Sequence, residues 1–488
     1  MSRVRVCGGR VLTLDAANAV WDPGEILIED GRVTGVGPRR ERPPRADEEV
    51  IDAPGALILP GLVNAHCHSS DTLVRGTAPL LPLEAWSYFT EAGRAGRTPR
   101  EVYLSAALSA IEALRTGTTT LLDHLRLSPG LTVEGLEAAA RAYCDVGIRA
   151  VIAPVLSDLP ASETIPLDLI DLPGALAEPL RRSPASWREQ ADVCEAFIQA
   201  WKPQIGIQVG PSAPHRCSDA LLERCGEMSE RHGVRIHTHF LESTAQAVVA
   251  RRRFPQGPAR HLAALGLLQR ASLVHCVHAD DVETIAASGA VVVHCPVANL
   301  KLASGVMPWS TFADHHVPLA LGTDGVLCND SLSMFTVMKV AGLVHTGGAE
   351  AETLLRAAVH SGAAACGFAG GRGIEPGNRA DLIVLDPAIH HDPVGRVVYA
   401  EEWRPVQTVI VEGNMVVRGG RPTAVDEAAL LEEAREASAR LVARNASHYR
   451  FAEQIAPHMQ RLVMRATEVY ASTPSGTHRS ASSSSTSV

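Results

Sequence analysis

No stretch of this chain reaches the roughly 18 consecutive apolar residues that a membrane span needs. The opening Met1-Ser2-Arg3-Val4-Arg5-Val6 carries no long apolar core of the kind a secretory leader has. A cytoplasmic location is therefore expected. Clustered positive charge is also scarce: the net charge is −9, the pI is about 6.1, and Arg251-Arg252-Arg253 is a short run that reads as a solvated helix end. Without a basic patch there is no footprint for a nucleic acid. The ten cysteines contain no CxxC pair, and a 488-residue chain with 46% apolar content needs no disulfide staples, so they read as reduced core residues. Aromatics are sparse at 4%, but charged residues at 20% beside that apolar content exclude a fibre or a generally disordered chain.

What is present is organised around Pro60-Gly61-Leu62-Val63-Asn64-Ala65-His66-Cys67-His68. An apolar run ends in two histidines spaced by one residue, and strand alternation points both imidazoles to one side while Cys67 turns to the other. The pattern returns. Apolar runs also close on His237-Thr238-His239-Phe240-Leu241-Glu242, on Leu273-Val274-His275 and on Gly322-Thr323-Asp324-Gly325.

The length predicts one large domain with a small satellite. Strands are expected over 56–66, 118–123, 148–156, 205–212, 234–239, 272–277, 290–295 and 318–323, as continuous apolar runs typical of parallel strands buried on both faces. Amphipathic helices are expected between them, at Arg100 to Leu114, Val133 to Cys144, Trp187 to Ala200, Asp219 to Arg231 and Thr284 to Ser288. Eight such strands are the count for a (β/α)₈ TIM barrel over 60–371, and the ligand-type residues all fall at the strand ends where barrel chemistry sits. Residues 1–59 alternate short apolar runs with turns, among them the hairpin signal Asp30-Gly31, and read as a small antiparallel unit. With 372–424 they are expected to form one composite β-sandwich. Residues 425–470 read as C-terminal helices packing on the barrel or a partner subunit, and the Ser- and Thr-rich 471–488 as a disordered tail.

A hydrolytic zinc or iron site needs a few protein ligands and an open position for water. His66, His68 and Asp324 are candidates, and the Asp324 carboxylate can also act catalytically by accepting a proton from bound water. His237 and His239 share a strand face, so spacing does not choose between them. Glu242 lies in the loop beyond that strand, where a carboxylate can reach both a bound water and the substrate as general acid and base. His275 ends the sixth strand and is placed to polarise the attacking water or hold an oxyanion; His278 lies in the loop beyond it.

The motifs PGLVNAHCH, HTHFLE, VHCVH, HCPVANLKLASG and LALGTDG resemble the amidohydrolase superfamily, in its branch of adenosylhomocysteine and methylthioadenosine deaminases, guanine-type deaminases and triazine chlorohydrolases. The stretch Gly373 to Leu382 also matches, so the resemblance covers nearly the whole chain. It implies one divalent metal, zinc or alternatively iron, held by His66, His68, His239 and Asp324. It implies that Glu242 shuttles protons and that His275 stands near the attacked carbon. The family's ligand is the histidine three before the glutamate, which selects His239 over His237. No lysine occurs in Ile205 to Ser212 to form a bridging carbamate, which agrees with a single ion. Substrate contacts are expected from Glu84, Trp86, His124, His294 and Asn299. His124, in Leu121-Leu122-Asp123-His124, is more similar to oxidised-guanine deaminases than to adenosine-type ones.

The activity this implies is hydrolytic deamination of an aminated purine, nucleoside or related nitrogen heterocycle: water adds to the amidine-like carbon, Glu242 protonates the ring nitrogen, and ammonia leaves. The same site serves dechlorination or cyclic-amide opening as the alternative, and a non-catalytic scaffold is disfavoured by the complete ligand set. A small heterocyclic substrate and a dimeric or tetrameric assembly are expected.

Overall fold

The computed structural model describes residues 3–202, 205–368, 373–401 and 405–472. Strands Leu62–Cys67, Thr118–Asp123, Arg149–Ile152 and Gly206–Ile207 form one parallel sheet in chain order, and Ile236–Phe240, Ala271–His275, Val291–His294 and Leu319–Leu321 form a second. Backbone hydrogen bonds bridge them at both edges. On one side His237 N donates to Val209 O and Val209 N to Arg235 O; on the other, Asp324 N donates to His66 O, each at 2.9 Å. Each expected segment carries a strand and nearly every strand residue is buried, but 148–156 and 205–212 are each interrupted, and their second parts, Val155–Leu156 and Gly210–Pro211, pair with each other in a separate two-stranded parallel sheet.

The connecting helices form where their ends are satisfied. Pro99–Arg115 begins with a capping box in which Thr98 Oγ1 accepts from Glu101 N and Glu101 Oε2 accepts from Thr98 N. Val133–Val146 and Asp219–His232 are capped by Thr132 and Ser218 and end on the left-handed glycines Gly147 and Gly233. These helices and Trp187–Trp201 fall within two residues of the expected bounds. Among the described residues no helix is long and apolar enough to cross a membrane.

The first expected strand, 56–66, is two strands. Leu57–Pro60 pairs antiparallel with Leu382–Leu385 in another sheet, and Leu62–Cys67 enters the parallel one. Gly61 joins them because a Cβ there would lie 2.1 Å from Thr119 Cγ2, so only glycine allows the backbone past. That other sheet has seven strands drawn from both chain ends, and a four-stranded sheet of Arg3–Cys7, Gly24–Glu29, Arg32–Pro38 and Glu48–Asp52 accompanies it. Val6, Ile26 and Ile28 of the smaller sheet cluster with Val11, Ile58, Leu382 and Ile410 of the larger. The Asp30-Gly31 hairpin forms with φ of 48° and 78°, the positive pair that a type I′ turn requires. The unit is mixed rather than antiparallel: Arg3–Cys7 pairs parallel with Glu48–Asp52, and Arg10–Leu12 parallel with Leu57–Pro60. The connection from Pro38 to Glu48 is long enough to bring the chain back in the same sense, which a tight turn cannot do.

The C-terminal pattern forms two helices, Glu427–Arg444 and Ala446–Ser472. They break at Asn445, whose Nδ2 donates to Ala92 O and Ala95 O. The last helix packs on this same chain, with Ile455, Met459 and Leu462 clustered against Phe89, Leu180 and Val248. Residues 471 and 472 end that helix, and the rest of the expected disordered tail, 473–488, lies outside the described residues.

One ion-pair network ties two outer helices together. Glu195, on Trp187–Trp201, meets His232 at 2.8 Å, Arg231 at 2.7 Å and Arg224 at 2.5 Å, all on Asp219–His232. The hydrogen bond from His232, then those of the arginines, hold its carboxyl down to about 2. A folded-state value below the unfolded one means the contribution is complete above the ordinary glutamate value and is lost as pH falls toward about 2. The melting temperatures of wild type and Glu195→Gln are therefore expected to differ most near neutrality and to converge between about pH 4.5 and 2, measured by thermal denaturation across that window.

Candidate metal centre and its pocket

His66 and His68 leave the first parallel strand with ring centroids 4.7 Å apart, while Cys67 turns into the core. His239, from Ile236–Phe240, places its Nε2 3.3 Å from His68 Nε2. Asp324, just past Leu319–Leu321, places Oδ1 3.6 Å from His66 Nε2 and 3.5 Å from His68 Nε2. Gly322 makes the approach of these strands workable, since a Cβ on it would lie 2.9 Å from His66 Cβ. Asn64 locks the same seam: its Nδ2 donates to Thr323 Oγ1 at 2.7 Å and its Oδ1 accepts from Thr323 N at 3.0 Å.

The far ring atoms decide the tautomers. His68 Nδ1 donates to His124 O and His239 Nδ1 to Ser212 O, both at 2.7 Å, and a carbonyl can only accept. For His66 the chain of partners is longer. The Ser272 hydroxyl donates to Ile236 O and so accepts from His237 Nδ1 at 2.7 Å; His237 Nε2 is then left to accept from His66 Nδ1 at 2.8 Å. Three Nε2 lone pairs thus face one point, the orientation a metal ligand takes when its other nitrogen is held by an outer partner. His66 Nε2 is buried and has no hydrogen-bond partner among the described residues. Burial pushes the imidazoles of His66, His68 and His239 below their ordinary value, so they are neutral. Burial alone would raise the Asp324 carboxyl, but the His66 ring 3.6 Å away and the other nearby imidazoles hold it well below the usual range, so it is ionised. Three neutral imidazoles and one carboxylate are a donor set that suits a divalent ion.

Glu242 stands beside this cluster. Its Oε2 lies 3.5 Å from His275 Nε2, its Oε1 accepts from Ser304 Oγ at 3.4 Å, and its backbone N donates to Gln246 Oε1 at 2.9 Å. Burial raises its carboxyl to about 7, against the opposing pull of His275. His275 Nδ1 donates to Asn299 Oδ1 at 2.8 Å, which leaves His275 Nε2 toward Glu242 and, at 3.8 Å, Asp324 Oδ2. His275 and Asp324 hold φ of 75° and 63°, a left-handed backbone costing non-glycine residues about 1–3 kcal/mol each and found chiefly where function fixes it.

A cavity opens over the cluster, lined by His68, His239, Glu242, His275, Asp324 and Trp86 among others. Of the other substrate-contact candidates, none is among the lining residues. Glu84 accepts a hydrogen bond from Ser243 Oγ, His124 stacks behind His68 with centroids 5.8 Å apart, His294 Nε2 meets His345 Nε2 at 3.0 Å, and Asn299 lies under His275. His278 donates to Ser304 O, a structural contact. The sequence reading passed over the charged wall: Arg94, Arg126, Arg216 and Glu91 all line the cavity. Helical spacing was the available signal for two of them, since Trp86, Thr90, Glu91 and Arg94 follow the 3.6-residue period of Leu83–Arg94.

Parallel strands that deliver three inward imidazoles and a carboxylate beside a buried glutamate define the metal-assisted hydrolase class of α/β proteins. The Amidohydrolase family model matches residues 57–416, and the chain belongs to this family. It is 34% identical over 448 residues to the 5-methylthioadenosine/S-adenosylhomocysteine deaminase of Syntrophobacter fumaroxidans, covering 88% of this chain and 95% of that one. It is 32% identical over 463 residues to the 5'-deoxyadenosine deaminase of Methanopyrus kandleri, covering 90% and 99%. Among solved structures it resembles an adenosine deaminase from Xanthomonas campestris with bound zinc, at a TM-score of 0.79 and 27% identity, covering 90% and 98%. Family and likeness together imply the TIM-barrel fold.

Proposed function

We propose that this chain is a hydrolytic deaminase of adenosine-type nucleosides that works with one divalent ion held by His66, His68, His239 and Asp324. The observation that carries the reading is the convergence of His68 Nε2, His239 Nε2 and Asp324 Oδ1 within about 3.5 Å of their nearest partners, with the Nδ1 of both imidazoles held by a hydrogen bond. The names of the relatives support the adenosine-type ring. When bound, zinc or iron acidifies a water and orients it toward the substrate.

The residues supply the rest. Glu242, with a carboxyl near 7, takes one proton from the attacking water and delivers it to the ring nitrogen, then carries the second proton from the added hydroxyl to the departing amine, so that ammonia leaves and a carbonyl remains. His275, fixed by Asn299, stands where the attacked carbon's oxygen gathers charge. Trp86 offers its face to the heterocycle, and His124, Glu84 and His294 act from behind the wall as positioning residues. In the finer architecture we propose, the two parallel sheets close as one (β/α)₈ barrel over 60–371, and 1–59 with 372–424 form a β-sandwich beside it; the bridging hydrogen bonds and the shared apolar cluster support this.

The test is ammonia release from zinc-loaded protein with adenosine, 5'-deoxyadenosine, 5'-methylthioadenosine, guanine and an aminotriazine. Adenosine-type nucleosides are expected to be turned over and converted to the hypoxanthine-ring product. Turnover of guanine or the triazine with none of the nucleosides would sink the reading.

A further inference from the structure

His278 takes no part in the histidine cluster, yet it joins the two loops that carry Glu242 and support His275. Its backbone N donates at 2.9 Å to the O of Leu241, the residue before Glu242. Its ring Nε2 donates at 2.9 Å to Ser304 O, and Ser304 Oγ meets Glu242 Oε1 at 3.4 Å. Ser304 N in turn donates at 2.8 Å to the O of Asn299, whose side chain holds His275. One imidazole therefore spans from the loop of Glu242 to the turn that touches Glu242 and backs His275. A carbonyl can only accept, so the ring proton is on Nε2. Burial, opposed by the Ser304 contact and aided by the charge of Arg251, lowers the ring from its ordinary value, so the neutral form makes this bond.

The main chain on both sides of this bond is strained. Leu241, His275, Cys276 and Ala303 have φ of 47°, 75°, 51° and 54°; Leu241 adjoins Glu242 and Ala303 adjoins Ser304. Left-handed backbone at residues other than glycine persists only where the surroundings over-determine it. Gly305, with φ of 120°, continues the turn, and a Cβ on it would lie 2.9 Å from Val277 Cγ1, so the turn sits hard against the residue before His278. The C-terminal helix closes on the same place from outside. Tyr470, in the last turn of Ala446–Ser472, meets the His278 ring edge to face with centroids 5.1 Å apart. Arg251 lies 4.2 Å over the Tyr470 ring and reaches Asp280 at 3.6 Å. One turn earlier, Thr467 Oγ1 meets Thr244 Oγ1 at 2.9 Å, two residues beyond Glu242.

We propose that His278, clamped by Tyr470 of the C-terminal helix, is a positioning residue that holds the Ser304 turn against Glu242 and His275. Without its N–H the strained turn relaxes, and Ser304 Oγ and the Asn299 support of His275 move together. A displacement of about 1 Å at reacting groups slows chemistry by about 100-fold. Neither His278 nor Tyr470 lines the cavity, so the loss falls on kcat and leaves KM and the metal in place. This deepens the deaminase reading above and rests on it for the activity that is measured.

The experiment compares wild type, His278→Phe, His278→Gln and Tyr470→Ala as the zinc-loaded full chain. It measures kcat and KM for ammonia release from adenosine, 5'-deoxyadenosine and 5'-methylthioadenosine, metal per chain, and backbone hydrogen–deuterium exchange. Phenylalanine keeps a ring against Tyr470 but has no N–H, whereas glutamine gives up the ring and offers an N–H donor in its place. His278→Phe is expected to lower kcat by about 10- to 100-fold with KM within about threefold of wild type. Exchange over 299–305 is expected to rise by about 10-fold or more while the parallel strands stay unchanged. His278→Gln is expected to recover most of the lost kcat, and Tyr470→Ala to lower it by about 3- to 10-fold in the same manner. A His278→Phe kcat within threefold of wild type overturns the proposal. So does a loss carried by KM or by departure of the metal, a glutamine variant as slow as phenylalanine, or exchange that rises throughout the chain. Should His278→Phe fail to fold, Tyr470→Ala decides, and an unmoved kcat with unmoved exchange over 299–305 overturns the clamp. Failure of the deaminase reading has a different signature: wild type releases no ammonia from any of the three nucleosides. Exchange over 299–305 then still decides, since it needs no turnover.

Discussion

Glu242→Gln is expected to lower kcat by about 10²–10⁴-fold while the protein keeps its full complement of metal. Glutamine fills the same space and can still meet Ser304 and His275, but it cannot take up and release a proton. The effect is therefore on the chemical step, with little change in KM or in melting temperature. The same carboxylate sets the acid limb of the wild-type profile. Burial holds it near 7; below that value it is already protonated and cannot accept from water, so kcat/KM is expected to fall as pH drops through about 7. Metal analysis beside a pH–rate profile checks both parts. A glutamine variant within threefold of wild type would remove Glu242 from the mechanism.

Asp324→Asn is expected to lose the metal itself. The carboxylate is the anionic member of the cluster's donor set, and it sits about 3.5 Å from two of the three imidazoles. Asparagine is the informative replacement because Asp324 has φ of 63°, which asparagine tolerates and alanine does not, so backbone strain is kept out of the result. The loss of affinity is expected to exceed the roughly 10–100-fold that removal of an outer hydrogen-bond partner produces. Turnover falls with it and returns only in part at high zinc. Metal per chain after dialysis and activity against added zinc measure this. Full occupancy after dialysis would show that the three histidines suffice.

His237 shows where reading the chain reaches its limit. Alternation along Ile236–Phe240 puts His237 and His239 on one face, and nothing local separates them. In three dimensions His239 Nε2 meets His68, while His237 turns to Ser272 and fixes the tautomer of His66. One is placed to bind and the other to orient. The split at Gly61 is similar: an apolar run from 56 to 66 reads as one strand, and only the closeness of Thr119 shows why it must be two.

The chain by itself determined what depends on short periods and local chemistry. The eight strand segments, the helices with their caps, the Asp30-Gly31 turn and the placing of His66, His68, His239, Glu242, His275 and Asp324 at strand ends are all written in spacings of two and about 3.6 residues. The tertiary structure decided what depends on which distant segments meet. Glu91, Arg94, Arg126 and Arg216 arrive at one cavity from a helix, a loop after the second strand and a short turn after the fourth. Glu84, His124, His294 and Asn299 fall behind its wall for the same reason. A side chain's period says which way it points from its own element; what stands opposite is set by the meeting of strand segments as much as 259 residues apart, and no local pattern carries that.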